Sequence, residues 1–334
     1  MKISVVVTFY NCEKYVKDCM ESLLLLDYDD YEIIILDDGS SDQTRALVQE
    51  YVDIHHLKYA FHEHQGVSAA RNKGIALADG EYVMFVDGDD RLDASSLKEM
   101  AQYTTEHTDI IACTCTAFDD ENYTYQCHFF EGDRTFQTAS EKEELLAQLL
   151  DVSYGQEKYK VYTAIGVPWG KLYRRQFLLE HQLQFEPRLI RMQDNVFNMN
   201  AFYYANKIIY IDKPLYMYRI THIISYKIKP ELVYRVLDSR NQFFTAHPEV
   251  FTKRIQQMYD SDCIGFLANT MKFYAEKKSQ KNFLVQFKEW SDKSICAKVL
   301  KNPPKLPFKR RTLIFLMQKK QGKLLYLFLK NRKH

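Results

Sequence analysis

The sequence predicts an α/β fold, with a mainly parallel sheet flanked by helices and a mainly helical C-terminal region after it. Runs typical of buried strands alternate with helical patterns through the first hundred residues. From about residue 230 onward the pattern is mainly helical, with a pause at 301–307. Composition agrees, because 46% hydrophobic and 14% aromatic residues in a chain of 334 supply a sizeable core.

The first part of the chain gives the order of strands and helices. The predicted strands are 3–9, 31–36, 57–62 and 81–87, and the predicted helices between them are 13–26, 41–52 and 66–78. Ser41 is the expected N-cap of the second helix. The order βαβαβαβ implies a parallel sheet with right-handed crossovers, in which ligands bind beyond the carboxyl ends of the strands.

The pattern is less regular after residue 95. We predict helices at 95–106, 140–151, 174–181 and 193–204, and strands at 109–116, 207–211 and 214–219. The aromatic stretch 117–136 is either a flap over a binding site or packing on a strand face. We expect two domains, residues 1–220 and residues 221–334.

The net charge of +1 conceals a strong asymmetry along the chain. Residues 1–150 hold 11 Lys/Arg against 30 Asp/Glu, whereas residues 151–334 hold 34 against 14. The acidic half could hold a cation, and the basic half could meet phosphates or an anionic membrane.

Cysteine usage and the N-terminal segment bear on location. The seven cysteines include no C-x-x-C pair and no His/Cys zinc spacing. The opening MKISVVVTFYNCEKY becomes polar too soon for a signal peptide, and no run approaches the 18 or so apolar residues of a transmembrane helix. We therefore expect reduced thiols and a cytoplasmic location.

Two acidic clusters follow predicted strands: LDDGSSDQT at 36–44 and VDGDD at 86–90. In a parallel sheet both would project from the same rim, where carboxylates repel one another unless a cation or a donor-rich ligand compensates them. A D-x-D turn suits Mg²⁺ or Mn²⁺ that already carries phosphate oxygens. The alternative is a solvated turn whose aspartates cap the backbone.

The motifs and their order resemble family 2 of the glycosyltransferases, which are inverting enzymes with a nucleotide-sugar-binding GT-A fold. The resemblance covers roughly residues 1–220. It is carried by VVVTFYN at 5–11, LDDGSSDQT at 36–44, GVSAARNKGI at 66–75, GEYVMFVDGDD at 80–90, PWGKLYRRQFL at 168–178 and MQDNVF at 192–197. It implies that residues 1–220 form the nucleotide-sugar-binding and catalytic domain.

The resemblance also implies roles at the nucleotide end. Thr8 and Tyr10 would lie beside the base, and Asp38 would accept a hydrogen bond from uracil N3–H. Asp37, its neighbour, would be structural. Arg71 would lie near the nucleotide and its phosphates. The expected donor is therefore a UDP-sugar.

At the D-x-D turn the resemblance implies that Asp87 binds the ribose hydroxyls or the metal. Asp89 would be the principal ligand of Mn²⁺ or Mg²⁺. Asp90 would either join them or cap the next helix. The segment YMYRITHIIS at 216–225 contains Arg219 and His222. In related enzymes a basic or His residue here approaches the metal–diphosphate from a flexible loop, and the resemblance implies this role for His222. A structural histidine is the alternative.

Inversion in a single displacement needs a carboxylate opposite the leaving diphosphate. The resemblance assigns this general base to Asp194 in RMQDNVF. Gln193 stands where the family frequently has an acid, which leaves Asp194 as the sole carboxylate of the motif. The alternative for Asp194 is a helix N-cap.

PWGKLYRR resembles the acceptor-side segment of these enzymes. Trp169 would offer a flat face to an acceptor sugar, with a core position as the alternative. Lys171 would contact phosphate, with a solvated position as the alternative.

The predicted activity is transfer of a hexosyl or N-acetylhexosaminyl group to a hydroxyl of a lipid-linked or protein-linked glycan, as in bacterial polysaccharide or glycoprotein synthesis.

A pyrophosphorylase or an NAD-dependent dehydrogenase would need a Gly-rich loop after the first strand, where TFYNCEKY stands. A receiver domain would have its acid pair after strand one. A non-catalytic relative that binds nucleotide-sugars or glycans is the serious alternative. No nucleic-acid partner is expected, and a homo-oligomer stays open.

The C-terminal segment 293–334 holds 13 Lys/Arg and no Asp/Glu, interleaved with LIFLM at 313–317 and LLYLFL at 324–329. Neither apolar run can span a bilayer, which needs about 20 residues. Each could lie at an anionic membrane surface, which would make the protein peripheral on the inner face of the membrane. The alternative is that these helices pack on the body or on another subunit.

Overall fold

The computed structural model describes residues 1–120, 124–151, 165–221, 230–291, 300–301 and 308–330. The chain divides into two compact units, Met1–Ser225 and Tyr226–His334.

The first unit begins with the predicted alternation of strands and helices. Its elements are β1 (Ile3–Phe9), α1 (Val16–Leu24), β2 (Tyr31–Asp37), α2 (Thr44–His55), β3 (Lys58–Phe61), α3 (Val67–Leu77) and β4 (Tyr82–Asp87). All seven residues of β1 are buried, as a strand covered on both faces requires. The expectation for Ser41 is wrong: α2 begins at Thr44, whose N–H donates to Asp42 Oδ1 at 3.0 Å.

The later part of the first unit contains shorter elements. They are β5 (Arg91–Leu92), α4 (Ser96–Ala101), β6 (Ile110–Phe118), β7 (Thr124–Cys127), β8 (Arg134–Phe136), α5 (Ala139–Leu150), β9 (Lys171–Arg174), α6 (Arg175–Glu180), α7 (Gln193–Tyr204) and β10 (Ile208–Arg219). Helix α4 ends earlier than predicted. The two strands predicted at 207–211 and 214–219 are one strand whose register shifts around Pro214, which has no N–H to donate.

Among the described residues these strands form one ten-stranded sheet with β3-β2-β1-β4-β9-β6-β10-β5 as its main order. Strands β7 and β8 pair with β6 and β10 at its side. Strands β1–β4, β6 and β10 run in one direction, and β9 runs antiparallel between β4 and β6. The sheet is therefore mixed but mostly parallel, and the prediction of the fold class is confirmed.

The register of the sheet brings the two acidic clusters together. Thr8 on the central strand β1 pairs with Asp87 of β4, and Phe9 pairs with Asp37 of β2. The cluster at 36–44 follows β2 and the cluster at 86–90 follows β4. Because β2 and β4 both pair with β1, the two clusters lie at the same edge of the sheet.

The second unit is helical, with α8 (Pro230–Ala246), a short 3-10 helix (Pro248–Val250), α9 (Lys253–Lys277), α10 (Gln280–Ser291), α11 (Phe308–Gln318) and α12 (Gly322–Lys330). Trp290 and Arg240 are fully buried in it, and Arg240 forms an ion pair with Asp262. The helices α10 and α12 approach closely, since a Cβ on Gly322 would lie 2.7 Å from the ring of Phe287.

The apolar runs of the C-terminal segment bury one face each within this unit. Their buried residues are Leu313, Ile314 and Met317 on α11 and Leu325, Tyr326 and Leu329 on α12. Phe315, Leu324 and Leu327 remain exposed on the outer faces. In the described residues no helix is both long enough and apolar enough to cross a membrane.

Candidate active site

The D-x-D turn lies against the end of β1. The N–H of Gly88 donates to the Thr8 carbonyl at 2.9 Å. A Cβ on Gly88 would lie 2.3 Å from Cδ1 of Phe9 and 2.8 Å from the Thr8 carbonyl oxygen. Only glycine lets the turn approach this closely, so Gly88 fixes where Asp87 and Asp89 project.

A single guanidinium joins the two carboxylates expected on the donor and acceptor sides. Arg71 Nη2 donates to Asp87 Oδ1 at 2.6 Å, and Arg71 Nη1 donates to Asp194 Oδ1 at 2.7 Å. The Arg71 side chain is only 3% exposed, whereas the side chains of Asp87 and Asp194 are each 30% exposed. The two carboxylates thus line an accessible surface, with the cation behind them.

Arg71 is held by its surroundings on α3. Its guanidinium lies over the ring of Phe185, 5.3 Å from the ring centroid. Phe185 in turn stacks on Phe197 of α7 with ring centroids 3.9 Å apart. Asn72, the next residue on α3, donates to the Phe185 carbonyl at 2.8 Å and accepts from its N–H at 2.8 Å. These contacts restrict the guanidinium to the plane that meets both carboxylates.

The electrostatics suit Asp194 to proton transfer. Burial raises the pKa of Asp194, while the nearby Arg71 cation opposes that shift. Burial disfavours the charge of Arg71, but the carboxylates of Asp87 and Asp194 outweigh it and raise the Arg71 pKa further. A carboxylate with a raised pKa is a stronger base than an ordinary aspartate.

Asp194 lies in the first turn of α7 and is not its N-cap. The N-cap position is held by Met192, which adopts the left-handed conformation with φ of 60° and supplies no side-chain hydrogen bond. Asn198, one turn further, donates to the carbonyls of Asp194, Gly166 and Val167. The backbone that carries Asp194 is therefore anchored to the segment before β9, and its carboxylate is left for Arg71 and the accessible side.

Asp90 does not cap the next helix, α4, whose N-cap position is held by Ser95. It is 1% exposed and accepts hydrogen bonds from the Tyr216 hydroxyl at 2.6 Å and the Arg219 N–H at 2.7 Å. Burial, with the charges of Asp89 and Asp87, raises the Asp90 pKa well above its usual range. Asp90 thus fastens the acidic turn to β10.

Arg219, at the end of β10, clamps the backbone of the acidic turn. Its Nε donates to the Asp89 carbonyl at 2.7 Å, its Nη2 meets Asp18 Oδ2 at 3.0 Å, and it also pairs with Asp120. The guanidinium lies over the rings of Tyr15 and Phe118. Arg219 therefore helps to hold the position of the turn, whereas the expected metal-side residue His222 lies outside the described residues.

Asp38 occupies a closed hydrogen-bond network at the start of α3. Its carboxylate accepts from the N–H groups of Gln65 and Gly66. The Nδ1 atoms of His62 and His64 lie 3.2 and 2.8 Å from its oxygens. Asp38 is buried, so a base that binds to it must share or replace one of these contacts.

An exposed aromatic pair lies beside Asp38. Tyr10, which is 44% exposed, stacks on His64 with ring centroids 4.1 Å apart and an interplanar angle of 17°. Such a pair offers a flat surface for a planar base. Thr8 is buried at the end of β1, and the buried Asp37 accepts a hydrogen bond from the Ser40 N–H at 2.9 Å.

Trp169 and Lys171 lie beneath the site. Trp169 is 3% exposed and stacks on Tyr216, with centroids 4.4 Å apart, and on Tyr218. Lys171 has no exposed surface, and its Nζ donates to the Val167 carbonyl at 2.5 Å. The burial of Trp169 corresponds to the core alternative. The burial of Lys171 fits neither a solvated side chain nor direct contact with an acceptor.

Four aromatic rings in the described part of the stretch 117–136 are packed in the interior. They are Phe118, Phe129, Phe130 and Phe136. Phe130 packs against Phe136 and Tyr210, with centroids 5.1 and 5.3 Å apart.

The carboxylates fit a cation that arrives with its own ligands. No group of three or more His, Cys, Asp or Glu side chains among the described residues is arranged to hold a metal ion. Asp87 and Asp89 supply two carboxylates at one turn, and Mg²⁺ or Mn²⁺ commonly takes one or two carboxylates together with substrate phosphates. The donor set therefore fits a metal–diphosphate complex.

Several residues of this site were not predicted from the sequence. They are Asn72, which fastens the Phe185 loop, His62 and His64, which contact Asp38, and Tyr216, which joins Asp90 to Trp169. Local signals existed for His62 and His64, which stand close together in FHEHQG, and for Asn72, which lies in GVSAARNKGI. Their contacts could not be predicted because they join distant parts of the chain.

Comparison with known proteins agrees with the geometry. Residues 4–180 match the model of Glycosyl transferase family 2, which is more than half of the chain. The chain belongs to glycosyl transferase family 2. The match includes the D-x-D turn, Arg71 and the Trp169 segment.

Relatives of this family member include EpsH of Bacillus subtilis, which is assigned to the glycosyltransferases. It is 34% identical over 222 residues, which cover 65% of this chain and 60% of EpsH. TarS of Staphylococcus aureus, a poly(ribitol-phosphate) beta-N-acetylglucosaminyltransferase, is 30% identical over 246 residues, which cover 71% of this chain and 39% of TarS. The matched region thus spans less than two thirds of the length of either relative.

The fold likeness extends further along the chain. The crystal structure of TarS residues 1–349 in complex with UDP-GlcNAc has a TM-score of 0.70 at 23% identity, covering 99% of this chain and 91% of that one. The structure in complex with UDP gives a TM-score of 0.68 at 24% identity. The family member therefore has a GT-A fold.

Proposed function

We propose that this protein is an inverting glycosyltransferase that moves a sugar from a UDP-sugar to a hydroxyl of a glycan acceptor. The observation that carries the proposal is that Arg71 donates hydrogen bonds to both Asp87 and Asp194, beside the D-x-D turn. One carboxylate belongs to the donor motif and the other to the base motif. Membership of family 2 and the nucleotide-sugar bound by TarS support this assignment.

In the proposed donor site, the uracil lies against the exposed Tyr10 ring and its N3–H reaches Asp38. Thr8 would lie beside the base, and Asp87 would meet the ribose hydroxyls. The closed network around Asp38 implies that uracil binding requires one imidazole to move. His64 is the imidazole that can move more readily, because it is the more exposed of the two.

In the proposed reaction Asp194 takes the proton of the acceptor hydroxyl. The hydroxyl oxygen then forms a bond to the anomeric carbon while the bond from that carbon to the diphosphate oxygen breaks. UDP leaves, and the configuration at the anomeric carbon is inverted. The raised pKa of Asp194 makes this proton transfer more favourable than it would be with an ordinary carboxylate.

A bound Mn²⁺ or Mg²⁺, held by Asp89 next to the ribose-binding Asp87, would neutralise charge on the leaving diphosphate. The protein's own part is to fix the turn on which these carboxylates stand. Gly88 allows the turn to lie close to β1, Asp90 accepts from the Arg219 N–H, and the Arg219 side chain donates to the Asp89 carbonyl.

For the acceptor we propose a hydroxyl of a lipid-linked or protein-linked glycan, with a hexosyl or N-acetylhexosaminyl group as the transferred sugar. Residues 1–220 would carry catalysis. Residues 221–334 would contact the acceptor, a membrane or another subunit. For the membrane case, the exposed Phe315, Leu324 and Leu327 lie among basic residues of the segment 293–334.

Calorimetric titration with UDP, in the presence and absence of Mn²⁺, tests the donor site. We expect UDP to bind and Mn²⁺ to strengthen the binding. Tight binding of GDP or TDP without binding of UDP would contradict the donor assignment. Absence of turnover with every UDP-sugar, despite UDP binding, would instead favour a non-catalytic nucleotide-sugar-binding relative.

A further inference from the structure

We propose that Arg71 is a positioning residue for the general base Asp194, which it holds through a shared ion pair with Asp87, and is not a ligand of the nucleotide phosphates. This inference rests on the proposed function, because it takes Asp194 as the base. It changes the expectation from the family resemblance, which placed Arg71 beside the phosphates.

The first argument is that Arg71 is almost entirely buried and already engaged by two carboxylates. One terminal nitrogen is used by Asp87 and the other by Asp194, at 2.6 and 2.7 Å. Nε is buried, and the ring of Phe185 covers one face of the guanidinium. With 3% of the side chain exposed, Arg71 offers almost no accessible surface to a phosphate.

The second argument is geometric. A guanidinium presents its donors in a rigid plane, so two carboxylates bound to separate terminal nitrogens acquire a defined separation. Asp87 stands at the end of β4 and Asp194 in the first turn of α7. Arg71 therefore sets the distance between the donor-side carboxylate and the base, which are otherwise joined only through the fold.

The third argument is electrostatic. The charged groups that act on Asp194 come from three elements: Arg71 on α3, Asp87 on β4 and Lys171 on β9. Burial and Asp87 disfavour the ionised form of Asp194, and Arg71 is the closest group that favours it. Arg71 thus favours the ionised form of Asp194 against the effects of burial and Asp87.

The test compares Arg71→Gln and Arg71→Lys with the full-length wild-type protein. Carbon-13 NMR of the aspartate carboxyls follows the titration of Asp194 without substrate, with Asp194→Asn used to assign the signal. In Arg71→Gln we expect the pKa of Asp194 to rise, because the nearby cation is gone. In Arg71→Lys we expect a smaller move, since the charge remains while the two-sided bridge is lost.

Kinetics supply the second readout, as UDP release from a UDP-sugar in the presence of Mn²⁺. We expect Arg71→Gln to lower kcat by about 10²-fold, the scale of a misplaced catalytic group. The acid limb of its kcat/KM profile should shift upward with the NMR titration, and Arg71→Lys should recover part of kcat. UDP affinity should fall by less than about tenfold. Arg45→Gln, on the exposed part of α2, is the matched control and should behave as wild type.

Three results would overturn the inference while the wild type remains active. They are a loss of UDP affinity equal to the loss of turnover, an unchanged Asp194 titration, or unchanged kcat in Arg71→Gln. Loss of turnover with a lowered melting temperature and an unmoved acid limb would make Arg71 merely structural. A wild type that releases no UDP from any UDP-sugar would overturn the proposed function and this inference with it, whatever the titration shows.

Discussion

Asn72 and Phe185 are joined by two hydrogen bonds of 2.8 Å, one donated by the Asn72 side chain and one by the Phe185 N–H. This exchange ties α3 to the loop before α7. It places the neighbouring Arg71 under the Phe185 ring and against Asp194. In the AARN motif, Arg71 therefore contacts the carboxylates of Asp87 and Asp194, and Asn72 contacts the backbone of Phe185.

Asp89→Ala should weaken the metal-dependent part of donor binding. In wild type we expect Mn²⁺ to raise UDP affinity, and in the variant we expect this gain to fall by at least about tenfold. The physical reason is the loss of the principal carboxylate ligand. Calorimetric titration with UDP, in the presence and absence of Mn²⁺, measures the gain in affinity. The control is Asp27→Ala, which removes an exposed ion pair with Lys98. An undiminished Mn²⁺ effect in Asp89→Ala would remove Asp89 from the metal site.

Gly88→Ala should destabilise the fold and the metal–UDP complex together. The added Cβ would clash with the Phe9 ring at 2.3 Å and the Thr8 carbonyl oxygen at 2.8 Å. Overpacking of this kind costs about 1–3 kcal/mol. Thermal denaturation and calorimetry would measure the two effects.

Gly265→Ala is the matched control for Gly88→Ala. Gly265 lies inside α9, and an added Cβ there would meet nothing within 4 Å. Alanine in a helix interior is favoured over glycine by up to about 1 kcal/mol, so this variant should be slightly stabilised. Equal melting temperatures of the two variants would show that the close approach at Gly88 is not required.

The site was predictable only where its signals are local. The strand at 3–9 and the helix at 193–204 are apparent from continuous apolar or amphipathic patterns, and the acid clusters follow strand ends directly. The burial of Asp90 and Trp169 depends instead on Tyr216 and Tyr218 of β10, which come from more distant sequence. Lys171 is buried because its own strand, β9, lies between β4 and β6. β9 has only four residues, too few for a periodic pattern to identify.

Asp38 illustrates the same limit. Its place after β2 could be predicted from LDDGS, but its contacts with His62 and His64 depend on how the chain returns after β3. Likewise, Ser41 has the residue type of an N-cap, but its hydroxyl donates to Asn11 Oδ1, and the Asp42 carboxylate accepts from the Thr44 N–H instead. At Asp38 and Ser41, contacts with distant parts of the chain determine the hydrogen bonds, and local sequence preference does not.

Lys171→Met should raise stability at neutral pH. Burial lowers the pKa of Lys171 to about 7, below its usual 10.5. The unfolded chain therefore binds more protons between these values, and the penalty for burying this lysine grows as the pH falls from about 10.5 to about 7. We expect a melting temperature higher by about 2–4 °C for each kcal/mol relieved at pH 7, and a smaller gain at pH 9.

Lys98→Met, at an exposed ion pair, should lack this pH-dependent gain. The Lys171 argument fails if Lys171→Met is less stable than wild type at both pH values. In that case the hydrogen bond from Nζ to the Val167 carbonyl outweighs the cost of burial.

Membrane contact of the C-terminal segment predicts co-sedimentation with anionic vesicles and release by salt. Replacing the exposed Lys319, Lys320 and Lys323 with glutamine in the full-length protein should reduce binding, because each cation near the surface contributes about 1 kcal/mol. Neutral phosphatidylcholine vesicles are the control. If wild type and the triple variant sediment alike with anionic vesicles, the electrostatic account of this surface is wrong.

The most direct test of the central claim is UDP release from a panel of UDP-sugars by wild type and Asp194→Asn, each with Mn²⁺ present. We predict that wild type releases UDP and that Asp194→Asn lowers turnover by about 10²–10⁴-fold, the scale of a lost general base, while calorimetric UDP affinity is retained. Normal turnover by Asp194→Asn, or no UDP release by wild type from any sugar nucleotide in the panel, would contradict the account.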